Sequence, residues 1–501
     1  MTFLAGGRGV NLAEVERLHE DLGAAFLEWA GLLPLELGEE RVRVATWKPA
    51  PEVQALDDLR ILFGSDLDLV HLPEEELRPA IRRIYGSDPL TAEQVIAGLD
   101  SAAAIAGVQE LALDDLVQLA NEAPVIKLVN FLLLEALEAR ASDVHLEAFS
   151  EGLRVRYRVD GVLQDAPNPP PQLTAAIISR LKIMADLDIA ERRVPQDGRI
   201  RLRLQDRQVD VRVSTVPTLH GEGVVLRLLD REGRRSTLAE LGMGSDVLGR
   251  FLEAVSRPHG IVLVTGPTGS GKTTTLYGAL EQIRTGREKI LTVEDPVEYE
   301  LPGVPQMPVN AKLGVTFASA LRAMLRQDPD VLLVGEIRDP ETAEIATQAA
   351  LTGHLVLSTL HTNDAPSAIT RLVDLGVPAY LVASTVEAVL AQRLVRLICR
   401  DCRQPMELPP AWSGLLPPGT PVWRGQGCSA CRGSGYRGRA GIYELLLLDE
   451  GMRRLIAPDV SSVELHRQAI ASGMRSLRED GLRQVAAGVT TCEEVLRVTR
   501  D

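Results

Sequence analysis

The sequence predicts an α/β fold, and three patterns carry that prediction. An apolar, β-branched run from Gly260 to Thr265 leads into a GxxxxGK[ST] loop, Gly266-Pro267-Thr268-Gly269-Ser270-Gly271-Lys272-Thr273, and a helical pattern opens at Thr274. Three later apolar runs, near 289–293, 330–334 and 354–360, each stop on polar residues, as strands of an open parallel sheet do where they meet a ligand. Ahead of them the period of the apolar residues changes from 3.6 to 2, which marks a separate α+β region.

The glycine-rich loop is the most specific of these signals. Glycines let successive backbone N–H groups turn inward around phosphates, and the following helix adds its N-terminal partial charge. Lys272 then reaches the β- and γ-phosphates, Thr273 offers a hydroxyl to Mg²⁺, and Thr274 begins the helix. The three later runs end at Glu294-Asp295-Pro296, at Gly335-Glu336 and at His361. Converging on one nucleotide, Glu336 can orient or deprotonate an attacking water, Glu294 can hold water or metal, and His361 can sense the γ-phosphate.

The chain has 501 residues, more than one hydrophobic core holds, so two to four domains are expected. Hydrophobic residues make up 45%, and no apolar run approaches the ~20 residues that cross a bilayer. The first ten residues lack the order of a signal peptide, so a cytosolic chain that can dock on a membrane partner is expected. A net charge of −15 with 4% aromatic residues argues against a dedicated nucleic-acid surface.

Residues 1–100 hold much of that acidity, with 9 Lys and Arg against 19 Asp and Glu. Leu12, Val15, Leu18, Leu22 and Phe26 fall at helical spacing, a short strand is expected at 41–46, and helical patterns continue to Tyr85. The region reads as a docking domain for a partner with basic surface or as a solvated acidic face; the residues leave both open. A link spans 101–122. A helix is expected from near Pro124, with Asn121 as a cap, opening a second domain over 123–233. There Leu153, Val155, Tyr157 and Val159 face one way and Arg154, Arg156 and Arg158 the other. Asp160-Gly161 is a hairpin turn, and a second hairpin turns at Gln205-Asp206. A polar stretch after Asp230, with 234–237 at its end, reads as a hinge before a nucleotide-binding domain at 238–501.

Cys399-x-x-Cys402 and Cys428-x-x-Cys431 pair as two knuckles separated by a Gly- and Pro-rich loop. In a cytosolic chain they read as a four-thiolate Zn²⁺ site clamping an insert at about 396–440, with redox pairs or unconnected thiols as the alternative. Cys492, in a helical tail, reads as an ordinary buried residue.

Taken with Ala141-Ser-Asp-Val-His-Leu-Glu147, Val194-Pro-Gln-Asp-Gly-Arg199, the segments around Glu294, Glu336 and His361, and Gly438-Arg-Ala-Gly-Ile-Tyr-Glu444, these motifs resemble the secretion ATPases of the type II secretion and type IV pilus assembly superfamily, nearest the E-component of type II secretion. The resemblance covers roughly 120–501. It implies a RecA-like core with a zinc-binding insert, acting on ATP with Mg²⁺ in a homo-hexameric ring, with the second N-terminal domain rocking against the core. It implies that Arg212 and Arg227 reach the nucleotide from that domain, and that Arg322 and Arg326, at i and i+4 on one helix face, act near a subunit interface. Helix-surface ion pairs are the plainer reading of the last two. Because Gly335 stands where many P-loop enzymes have Asp, Mg²⁺ is expected on Thr273, phosphates and waters, with Glu294 as helper. The implied work is assembly of a pseudopilus at the cytoplasmic face of the inner membrane. The implied partners are an inner-membrane platform protein and, through residues 1–100, the cytoplasmic domain of a secretion linker protein. Type IV pilus extension is the alternative. A nucleic-acid translocase is a remote one, and no nucleic-acid partner is expected.

Overall fold

The computed structural model describes residues 24–38, 41–85, 123–204, 207–230, 237–412, 414–459 and 461–499, with isolated positions between 12 and 22. The expected link at 101–122, the cap Asn121, the turn at Gln205-Asp206 and most of the hinge lie outside the described residues. The chain divides into two compact units, residues 1–132 with 167–176, and residues 133–166 with 177–501.

In the first unit, β1 (Leu32–Leu37), β2 (Arg41–Thr46) and β3 (Asp66–His71) form a sheet in that order. β1 runs antiparallel to β2, and β3 parallel to it. The parallel step requires a crossover, supplied by the helix Val53–Phe63, and a second helix, Glu74–Ile84, follows β3. Leu27, Leu33, Val44, Leu59, Leu77 and Ile81 are wholly buried between sheet and helices. One expectation fails here. Val15, Leu18 and Leu22 are not helical, and the first α-helix among the described residues is Ala24–Ala30. The Leu18 N–H is taken by the Tyr85 hydroxyl at 3.0 Å instead of by a carbonyl one turn back, so the apolar residues reach the core without helical backbone.

The second unit holds two large sheets and a two-stranded ladder. The helix Ala123–Glu138 leads into β4 (Ala141–Phe149), β5 (Gly152–Val159) and β6 (Val162–Asp165). After the helix Thr174–Met184 come β7 (Gln196–Leu204), β8 (Arg207–Thr218) and β9 (Gly221–Asp230). Together they form an antiparallel sheet of order β6-β5-β4-β9-β8-β7. Asp160 and Gly161 both take positive φ, 50° and 84°, which is the turn that matches right-twisted strands. Leu153, Val155 and Tyr157 are buried, while Arg154 and Arg156 pair with Asp165 at 2.8 Å and Glu147 at 2.7 Å. Lys182 and Glu222 form a buried pair at 2.8 Å, and Lys182 also donates to the Glu191 carbonyl.

The larger sheet gathers β10 (Gly260–Thr265), β11 (Ile290–Glu294), β12 (Gln306–Pro308), β13 (Val331–Val334), β14 (Leu355–Leu360), β15 (Val386–Ile398) and, beyond a small ladder of β16 (Arg403–Met406) with β17 (Val422–Gly425), β18 (Tyr436–Leu447). Its order is β12-β11-β13-β14-β10-β15-β18, parallel except for β18 against β15. All six residues of β10 are buried. Ile261 and Leu263 enter the core on one face, Val262 and Val264 the core on the other, as period-two geometry dictates for a strand covered on both sides. Each such side chain contributes about 1.5–3 kcal/mol, and β13, β14, β15 and β18 divide their buried residues between the same two cores. Cys492 is buried in the first of these cores. Among the described residues no helix is long and apolar enough to cross a membrane.

The Lys182–Glu222 pair gives a stability test. Lys182→Met alone leaves a buried carboxylate without its partner and should lower the stability of this unit by about 3–5 kcal/mol in urea titration, whereas Lys182→Met with Glu222→Leu should recover most of that loss. Equal losses in the single and double variants would place the effect in packing and not in the unpaired charge.

Candidate active site

The carboxyl ends of β10, β11, β13 and β14 open on a cleft of about 880 Å³, and the antiparallel sheet supplies its far side. At the end of β10 the chain turns at Gly266 with φ 150°. A Cβ there would stand 2.5 Å from the Gln392 carbonyl oxygen of β15, so the loop lies directly on that strand and only glycine fits. Gly271, at φ 86°, closes the loop just before the helix Lys272–Ile283. Thr268, Gly269, Ser270, Gly271, Lys272, Thr273 and Thr274 all line the cleft; Gly266 and Pro267 do not, and are tied to it through the carbonyls that hold Lys272. The Ser270 hydroxyl is buried with no hydrogen-bond partner, an orphan of the kind a polar ligand satisfies. Lys272 Nζ donates to the carbonyls of Gly266, at 2.8 Å, and Pro267, at 3.1 Å. Burial pulls its ammonium down to about 8, with Glu336 acting the other way and Arg393 adding to the fall. A phosphate in the loop removes that penalty, because it supplies the counter-charge that burial denies.

Glu336 follows β13 and is buried. Its Oε2 lies 2.5 Å from Arg338 Nε and 3.3 Å from His361 Nε2. Glu294, the last residue of β11, is also buried and fully engaged. Its carboxylate accepts hydrogen bonds from the Tyr277 hydroxyl, from Thr292 at 2.6 Å and from Gln306 at 3.1 Å. It faces the cleft as a held carboxylate, not as a mobile one. Next to it, burial raises the Glu298 carboxyl, with Arg212 and Arg227 pulling the other way.

Both of those arginines line the cleft from the antiparallel sheet, on directly paired positions of β8 and β9. Arg227 Nε donates to Asp143 Oδ1 at 2.9 Å. Burial pushes the Asp143 carboxyl up, but the Ser142 hydroxyl and the Arg227 guanidinium outweigh it and hold the group below the usual carboxylate range. Arg322 and Arg326 lie elsewhere. The helix carrying Arg322 ends at Met324, and Arg326 sits on the tighter turn Leu325–Gln327, so the two do not share one helix face as expected. Arg322 pairs with the exposed Glu341 at 2.7 Å, and Arg326 donates to the Arg322 carbonyl at 2.9 Å. Neither lines this cleft.

Sequence reasoning missed Arg338, Asp143, Tyr277 and Gln306. Arg338 stands two residues past Glu336 and was visible in the motif. The others depend on which strands become neighbours.

Between β15 and β18 the four cysteines converge. Sγ separations are 3.9 Å for Cys399 to Cys428, 3.8 Å for Cys402 to Cys431 and 3.7 Å for Cys428 to Cys431, and all four sulfurs lie within 4.8 Å of one another. A disulfide needs about 2.05 Å, whereas tetrahedral Zn–S bonds of about 2.3 Å place sulfurs about 3.8 Å apart. Backbone N–H groups of Gly427, Cys428 and Gly435 point at Cys402 and Cys431, an arrangement that suits thiolates.

Comparison with known proteins agrees with this geometry. Residues 118–497 match the family model described as Type II/IV secretion system protein, and residues 10–90 match the MshEN domain. Type II secretion system protein E of Pseudomonas aeruginosa is 51% identical over 485 residues, covering 95% of this chain and 96% of that protein. Type II secretion system ATPase E of Vibrio cholerae is 45% identical over 477 residues, with 94% and 95% covered. The X-ray structure of the Legionella pneumophila ATPase DotB matches the fold with a TM-score of 0.56 at 21% identity, covering 74% of this chain and 94% of that one. The α/β core with its phosphate loop, the MshEN match at the N-terminus and the tetracysteine cluster belong together in one description: this chain is a member of the type II secretion system protein E family, a secretion ATPase.

Proposed function

We propose that the cleft above β10 hydrolyses ATP by in-line attack of water, with Glu336 as the residue that orients and deprotonates it. The convergence of Lys272, Glu336, His361, Arg212 and Arg227 around one cleft supports this most directly. Gly266 through Thr274 cradle the phosphates, and Lys272 swings from its two carbonyls to the β- and γ-oxygens. Thr273 is the hydroxyl that would hold Mg²⁺, an ion that neutralises charge on the phosphate oxygens. The three hydrogen bonds on Glu294 fix it as a support for water near that hydroxyl. His361 reports the γ-phosphate to Glu336, and Arg338 leaves Glu336 when substrate enters.

Arg212 and Arg227 bring the antiparallel sheet onto the nucleotide, so binding and release move that domain against the α/β core. Arg322 and Arg326, exposed and outside the cleft, suit a second subunit's site in a homo-hexamer, where cations spread over a transferring phosphoryl group lower its barrier. The cycle drives pseudopilus assembly through an inner-membrane platform protein, from a peripheral position on the cytoplasmic face. Residues 1–100 hold the cytoplasmic domain of a secretion linker protein through their acidic surface. The four thiolates take one Zn²⁺ and leave no open position on it, so the ion is structural.

Glu336→Gln should bind ATP as the parent does and hydrolyse it about 10²–10⁴-fold more slowly, because a neutral amide accepts no proton. Turnover within a few-fold of the parent would move the base elsewhere.

The purified chain should contain about one Zn²⁺ per molecule by elemental analysis, and Cys431→Ser should lose the metal and lower the melting temperature. A metal-free chain with an unchanged melt would remove the clamp.

Titrated with the soluble cytoplasmic domain of a linker protein at two salt concentrations, the full-length chain should bind tightly and weaken as salt rises. Binding indifferent to salt would remove the acidic docking surface.

A further inference from the structure

The loop that follows β14 is pinned at three successive places, and two of the pins come from strands with no group in the proposed mechanism. Thr362 is held by β10: its N–H donates to Thr265 Oγ1 at 2.9 Å and the two hydroxyls lie 2.8 Å apart. Asn363 is held by β15. Arg393 Nη2 donates to its carbonyl at 2.9 Å and to its side-chain Oδ1 at 3.1 Å. Ala365 is held by β18, where its N–H donates to Glu444 Oε1 at 2.8 Å. The other carboxylate oxygen of Glu444 accepts from the Leu477 N–H at 3.3 Å. Glu444 is 2% exposed, and the Arg393 Nη1 group is buried with no partner beside the loop glycine Gly266. Only His361, at the head of this loop, turns into the cleft toward Glu336.

A buried carboxylate set against one five-residue loop is a costly arrangement unless the loop must be held in one place, and the half-buried Arg393 adds a second charged hold. The loop's own Asp364 faces both groups electrostatically, favouring the Arg393 cation and opposing the Glu444 carboxylate. Resting on the reading of His361 as the γ-phosphate sensor, we propose that Arg393 and Glu444 are positioning residues that clamp the His361 loop and so set where the imidazole meets Glu336. Neither lines the cleft; Arg393 lies against the phosphate-loop residue Gly266, on β15, and Glu444 on β18, one strand further out.

Conservative variants separate this role from simple folding. Arg393→Lys keeps the cation but cannot bridge the Asn363 carbonyl and side chain together. Glu444→Gln keeps the shape but puts an amino group opposite one of two backbone N–H groups. Each should lower kcat about 10–100-fold in the full-length chain, with binding of a fluorescent ATP analogue within about two-fold of the parent. The same substitutions in a His361→Ala background should cost little more, because a clamp that acts through His361 has nothing left to position. Loss of the same fold in both backgrounds would overturn the clamp, as would a kcat loss that follows the melting temperature and recovers on cooling. If His361→Ala alone leaves kcat unchanged, the sensor reading of His361 falls first and the clamp falls with it. A large drop for His361→Ala beside unaffected Arg393→Lys and Glu444→Gln would overturn the clamp and leave the sensor standing.

Discussion

The close approach of the phosphate loop to β15 at Gly266 is the constraint on which the rest of the second unit depends. A side chain there would strike the Gln392 carbonyl, and without one the loop rests on the strand beside β10. That contact fixes β15 as a parallel neighbour of β10, in register from Val262 against Ala388 to Thr265 against Ala391. β14 takes the other side. With both flanks set, successive strands can only add outward through β13, β11 and β12, and the end of each arrives at the same edge. The cleft is therefore a consequence of strand order, not of any one catalytic residue.

The polar groups at that edge are buried, and their satisfaction decides how rigid the site is. Glu294 accepts three hydrogen bonds, Ser358 and Thr359 donate to carbonyls of the neighbouring strand, and Thr265 joins β10 to the loop after β14. Each such bond contributes only about 0.5–1.5 kcal/mol net, but leaving one buried group unpaired costs about 1–3 kcal/mol. The energetic weight thus lies in keeping the network complete, which holds the dipoles in place before substrate arrives. Ser270 is an exception in this network, a buried hydroxyl without a partner that lines the cleft where a polar ligand would enter.

How legible was this in the sequence? The phosphate loop, the three polar strand ends and the two cysteine knuckles each depend on residues adjacent in the chain, and each could be read directly. What could not be read depends on neighbours brought from afar. Leu12 through Leu22 carry a helical spacing, yet Val15, Leu18 and Leu22 are not helical, and at Leu18 the Tyr85 hydroxyl, far along the chain, captures a backbone N–H that a helix would use. Arg326 keeps its spacing from Arg322, but the helix tightens after Met324 and turns the two apart. Arg393 carries no local signal, and Glu444 enters only as the last residue of the motif Gly438–Glu444, with nothing local to give it a partner. The burial of Glu444 follows from β18 closing the sheet antiparallel to β15.

That antiparallel closure also explains why a loop with so little core of its own sits where it does. β15 runs straight into Cys399, and β18 begins shortly after Cys431, so the tetracysteine loop is the connection between the two strands that hold Arg393 and Glu444. At the same end, Asp160 in the hairpin turn of the antiparallel sheet accepts the Gly438 N–H at 2.8 Å and lies 3.6 Å from Arg439, which also lines the cleft. β18 therefore touches the thiolate cluster, the hairpin of the antiparallel sheet and the His361 loop along one continuous, mostly buried strand. The four sulfurs lie at metal-binding separations, and an ion held between them would tie the open end of that strand pair, where backbone pairing alone would fray.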